Sequence, residues 1–74
     1  MSRSFPVIIL PEPGGGYFVQ CPILPGCYSQ AETVEECVAN IREAIELALE
    51  DMAARGESLP PCGPALIAKV TVAA

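Results

Sequence analysis

The sequence predicts an α+β fold of order β-β-β-α-β, a small antiparallel or mixed sheet with one long amphipathic helix packed on one face. Three observations carry this reading. Short apolar runs near the N-terminus are separated by Pro- and Gly-rich stretches, the pattern of strands and turns. Residues 33–55 then carry apolar side chains at spacings of three and four, the period of a helix. After a second Pro-rich stretch the apolar residues alternate with a period of two. With 74 residues there is room for one domain, residues 1–74, so these elements must share a core.

Residues 5–10 form an apolar, β-branched run punctuated by Pro6 and Pro11, and this is the first strand. Glu12-Pro13-Gly14-Gly15-Gly16 follows it. A Gly-rich loop cradles phosphate only when a helix begins directly after it, because helix N–H groups complete the cradle. Here Tyr17-Phe18-Val19-Gln20-Cys21 comes next and reads as a strand, so the loop is a hairpin connection. Pro22-Ile23-Leu24-Pro25-Gly26 breaks that strand, since proline has no N–H for a central ladder, and is expected to be an exposed turn or irregular edge. Residues 27–31 are long enough for a third strand.

The helix has the clearest start and stop. Thr33 is a good N-cap and Glu36, three residues on, completes a capping box. Glu35 and Glu36 sit where the helix dipole favours negative charge. Val34, Cys37, Val38, Ile41, Ala44, Ile45, Ala48, Leu49 and Met52 form one apolar stripe. Gly56 suits the first position past the end. A helix over residues 33–55 is roughly 34 Å long. Residues 57–64 hold three prolines and a glycine, a stiff connector. Residues 65–72 read as the last strand, with Leu66, Ala68, Val70 and Val72 on one face and Ile67, Lys69 and Thr71 on the other.

This order leaves a shortage of cover. One helix shields one face of a sheet, yet the first two strands are apolar on both faces and the hydrophobic fraction is 51%. A partner subunit is the simple answer, so a homo-oligomer, dimer or tetramer, is expected; the alternative is a twisted sheet whose outer face stays partly wet, with the prolines guarding its edge. Charge adds a second constraint. The net charge is −5, and eight of nine acidic residues lie between positions 32 and 57. Direct nucleic-acid binding is therefore disfavoured, while a basic protein partner would be steered towards such a face. Glu43, Glu46 and Glu50 on the helix, with Tyr17 and Tyr28 on the strands, are the candidate partner-binding residues.

Catalytic and cofactor chemistry finds little support. There is no histidine, the acids lie on a solvated helix face, and Ser29 and Ser58 have no visible base. Cys37 is near a helix N-terminus, which lowers a thiol pKa, but it also falls on the apolar stripe. The four cysteines, Cys21, Cys27, Cys37 and Cys62, make no C-x-x-C pair and read as small apolar side chains in or near the core rather than as zinc ligands or disulfides. No catalytic, metal or cofactor site is expected. Nor is a membrane span or signal peptide, because the N-terminal apolar stretch is too short, and a cytoplasmic location is the expectation.

Residues 16–27, Gly-Tyr-Phe-Val-Gln-Cys-Pro-Ile-Leu-Pro-Gly-Cys, followed by Glu32-Thr33-Val34-Glu35-Glu36-Cys37 and Asn40-Ile41-Arg42-Glu43-Ala44-Ile45, resemble the HicB-like antitoxin family, which includes UPF0150-type small domains. The family pattern runs from a Gly-Tyr strand through a Pro-x-Leu-Pro-Gly-Cys turn and an Asp-Thr-x-Glu-Glu-Ala helix start. Its Gly-Glu-x-x-Pro exit is here residues 56–60. Ile23 stands where an acidic residue is usual, Ala31-Glu32 replaces Gly-Asp, and Cys37 replaces alanine. The resemblance implies a partial RNase H-like fold without nuclease carboxylates, oligomerisation, and inhibition of a small basic RNA-cleaving toxin, HicA. Many relatives add a C-terminal DNA-binding module. None follows the last strand here, so operator binding by this chain alone is not expected.

Overall fold

The computed structural model describes residues 3–59, 66 and 68–73. Its elements are β1 (Ile8–Pro11), β2 (Tyr17–Gln20), β3 (Tyr28–Ala31) and α1 (Val34–Ala54). The strands form one antiparallel sheet in the order β1-β2-β3. The α+β class and its order up to the helix are as the sequence predicts. Each strand is four residues long.

β1 begins later than the apolar run does. Ile8 pairs with Gln20, so Val7 and Pro6 would need partners at Cys21 and Pro22. The Cys21 N–H instead donates to the Cys27 carbonyl at 2.9 Å, on the other side, and Pro22 has no N–H. The β1–β2 loop closes through Glu12 N–H to Gly16 carbonyl and Gly15 N–H to Glu12 carbonyl, both 3.0 Å. Gly16 holds φ at +81°, and a Cβ there would meet the Ala31 carbonyl oxygen at 3.0 Å, so this position requires glycine.

The helix ends are built from local hydrogen bonds. The Thr33 hydroxyl accepts from the Glu36 N–H at 3.1 Å and lies 3.1 Å from the Glu36 carboxylate, to which it donates. At the other end Gly56 N–H donates to the Ala53 carbonyl and Glu57 N–H to the Met52 carbonyl, with Gly56 at φ +72°. These two bonds define a Schellman cap.

Strand parity sorts the sheet into two faces. Ile9, Tyr17, Val19 and Ala31 face α1, where Cys37, Ile41 and Ile45 are the buried helix residues. Val19 and Cys37 are completely buried, and burying a side chain such as Val19 is worth about 1.5–3 kcal/mol. The Pro22–Gly26 segment departs from the expected exposed turn. Pro22, Pro25 and Gly26 are exposed, but Leu24 is only 3% exposed and plugs the core. The turn curls back because Leu24 N–H bonds the Cys21 carbonyl and Cys27 N–H bonds the Leu24 carbonyl, both at 3.2 Å.

The expected last strand is not paired. Ala65 and Ile67 lie outside the described residues, while Leu66 and residues 68–72 are exposed and join no ladder. A strand needs a neighbour to satisfy its N–H and C=O groups, and among the described residues no ladder partner is assigned to this segment.

Candidate partner-binding surfaces

Three surfaces stand out once the core is assembled. The first is the sheet face turned away from the helix. Register places Ile8, Leu10, Phe18, Gln20, Tyr28 and Gln30 there. Leu10 and Tyr28 are 52% and 62% exposed, and the Phe18 and Tyr28 rings stack with centroids 5.8 Å apart. Nothing in the described residues covers this side. Stacked rings hold their shape at low entropic cost, which suits a contact surface.

The second surface is the outer side of α1. Glu43, Glu46 and Glu50 are exposed and spaced by three and four, so they share a stripe. At about 100° per residue that stripe points away from Cys37, Ile41 and Ile45. Like charges at this spacing repel by a few tenths of a kcal/mol, a repulsion that a cationic partner would relieve. At the helix end Arg55 is shared between Asp51 and Glu57, at 2.9 Å each; all three side chains are more than half exposed, and such pairs add little.

The third is a groove of about 420 Å³ between the segment preceding β1 and α1. The helix packs mainly over β2 and β3, while Ile9 of β1 also packs against the core. Phe5, Val7, Val38, Ile41, Ile45 and Leu49 supply the apolar wall. Arg3 sits at the mouth with its guanidinium 5.7 Å from the Phe5 ring centroid.

The five candidate partner-binding residues do not converge on one patch. The three glutamates occupy the outer helix stripe, Tyr28 the open sheet face, and Tyr17 packs against the core beneath the helix. The Tyr17 carbonyl accepts a long contact of 3.8 Å from the Cys37 thiol. The two tyrosines part because Tyr17 pairs with Ala31 while Tyr28 pairs with Gln20, positions of opposite parity. Leu10 and Phe18 join Tyr28 on the open face, and the sequence reading left them out. Their signal was the alternation within β1 and β2, legible once the register is known.

Cys21, Cys27 and Cys37 are buried free thiols in the core, as read from their apolar setting, and Cys62 lies outside the described residues. Burial, and then neighbouring Cys21, push the Cys27 thiol above its ordinary pKa, so it stays protonated. Among the described residues no three His, Cys, Asp or Glu side chains gather into a metal-binding group. No helix there is long and apolar enough to cross a membrane.

The described residues form a small α+β module with one long helix on one face of a three-stranded sheet. Residues 5–72 match the family described as HicB-like antitoxins of bacterial toxin-antitoxin systems, and the chain belongs to that family. A UPF0150 protein of Synechocystis sp. is 44% identical over 57 residues, covering 77% of this chain and 72% of the relative. A UPF0150 protein of Thermoplasma acidophilum is 39% identical over 57 residues, 77% of this chain and 83% of its own. One from Archaeoglobus fulgidus is 44% identical over 47 residues, 64% of this chain and 68% of the relative. Membership supports an antitoxin-type function.

Proposed function

We propose that this protein neutralises a small, basic, RNA-cleaving toxin of the HicA kind by forming a complex with it, without catalysing a reaction itself. The observation that carries the proposal is the outward acidic stripe of Glu43, Glu46 and Glu50 on a member of this family. A cationic toxin that grips RNA phosphates presents the complementary field, and steering speeds such an encounter. The net charge of −5 argues against direct binding to nucleic acid. The open sheet face, with Leu10, Phe18 and Tyr28, supports a homo-oligomer as the working form.

The test is co-purification with the product of an adjoining Lys- and Arg-rich gene, and rescue of growth when that product is expressed. A combined E43K, E46K and E50K variant should slow association about tenfold or more at low ionic strength, with the difference shrinking as salt rises. Absence of any complex, or a complex indifferent to those three reversals and to salt, would overturn the reading. Purified protein that cleaves RNA would also do so.

A further inference from the structure

We propose that Cys21 and Cys27 are a reversible dithiol–disulfide pair, which locks the Pro22–Gly26 turn when a small-molecule disulfide oxidises it. The proposal is independent of whether the partner described above is a toxin.

The register sets the two thiols opposite each other. Tyr17 faces Ala31 and Gln20 faces Tyr28, so the next rung of the ladder pairs Cys21 with Cys27. The Cys21 N–H makes one bond of that rung, donating to the Cys27 carbonyl at 2.9 Å; the return bond is missing because the Cys27 N–H turns to the Leu24 carbonyl. Opposed residues of a hydrogen-bonded antiparallel pair hold their Cα atoms about 5.5 Å apart, a separation at which disulfides are commonly found. Opposed residues also share one face of the sheet. Both side chains lie in the core, 2% and 7% exposed, and both are free thiols.

Neither a third thiol nor a metal competes for the pair among the described residues. The Cys37 thiol contacts the Tyr17 carbonyl, at the far end of β2 and four residues from Cys21, about 13 Å along the strand. Metal sites built on thiolates usually take three or four protein ligands, and no group of three forms among the described residues.

The exchange balances with a small disulfide such as oxidised glutathione. Cys27, the more exposed of the two, loses its proton and attacks one sulfur of the reagent, expelling a small thiolate and leaving a mixed disulfide. Cys21 loses its proton in turn and attacks the Cys27 sulfur, expelling the second part of the reagent. Two electrons and two protons pass from the pair to the reagent, which departs as two thiols. Excess small thiol runs the sequence backwards. Burial, and then Cys21, hold the Cys27 thiol above its ordinary pKa, so the exchange passes through an opening of the turn. The product has no proton to lose and sits in the apolar core without the penalty a thiolate would carry there. The closed ring encloses Leu24, the buried side chain of the turn, and so fixes it in place.

The experiment uses the full chain, equilibrated with series of oxidised and reduced glutathione in native buffer and in urea that unfolds it. Samples are quenched with acid, alkylated and cleaved after glutamate. Residues 1–32 contain Cys21 and Cys27 and no other cysteine, so this fragment reports the pair alone. The expected fragment is unalkylated and lighter than the reduced one by two hydrogen atoms. Its equilibrium constant of formation should be about tenfold or more larger in native buffer than in urea, and the unfolding constant of the oxidised chain smaller by the same factor. Equal constants in the two solvents would overturn the proposal, because the fold would then contribute nothing to the pairing. A fragment carrying only glutathione, or one whose disulfide joins it to another fragment, would overturn it as well.

Discussion

Leu24→Ala should cost about 2–3 kcal/mol, a large effect for a residue in a five-residue turn flanked by prolines. The side chain is 3% exposed and packs with Val19, Cys37 and the rest of the core. Large-to-small changes at such sites span about 2–5 kcal/mol, set by how far the neighbours collapse into the gap. Leu24 lies at the margin of the core, beside a groove shared with Ile23, Ala48 and Met52, so partial closure is available and the lower half of the range applies. A domain of this size has roughly 4–11 kcal/mol in total. The loss would therefore move the thermal midpoint by about 10 °C or more. The assay is urea unfolding followed by far-ultraviolet circular dichroism at one fixed protein concentration, because any self-association would make stability depend on concentration. Leu47→Ala is the control: the same chemical change on α1 at a side chain 65% exposed, expected within about 0.5 kcal/mol of wild type. Equal effects from the two substitutions would refute the plug.

Three further outcomes are expected. Thr33→Ala removes the acceptor for the Glu36 N–H and should cost about 1 kcal/mol, with restoration by Thr33→Ser, as read by the same unfolding assay. Gly16→Ala forces a Cβ into φ +81° and against the Ala31 carbonyl oxygen, and should destabilise by at least about 1 kcal/mol, whereas Gly14→Ala, with open space around it, should stay near wild type. Cys27 has its pKa raised in the folded state, so its contribution to stability is complete below the unfolded thiol pKa and is lost as pH climbs through the folded one. Stability should thus fall on the alkaline side, above about pH 8.5, and Cys27→Ala should flatten that fall in a pH series of unfolding curves.

What could be read in advance divides along the range of the forces involved. The helix was legible because its signals are local: Thr33 and Glu36 bond each other, Gly56 supplies the left-handed cap, and the stripe from Cys37 to Met52 repeats within one element. The hairpin loop was legible because three glycines precede a strand rather than a helix. Leu24 was hidden because two prolines announce a turn without saying which way it curls, and the curl depends on the Cys21 and Cys27 backbone bonds. Tyr17 and Tyr28 looked equivalent, but their faces depend on a register set by turn geometry far from either ring. Residues 65–72 carry a strand pattern, and a pattern states a capacity for pairing without naming the neighbour.

Because α1 packs mainly over β2 and β3, resistance to opening should be graded across this molecule. The N-terminal strand is held by one ladder and by fewer contacts with the helix, so it is the first piece to peel. Its backbone amides should exchange with solvent faster than those of α1 near Ile41 and Ile45, which are buried in the core. A protease sampling the protein would accordingly find an early cut near the N-terminal strand.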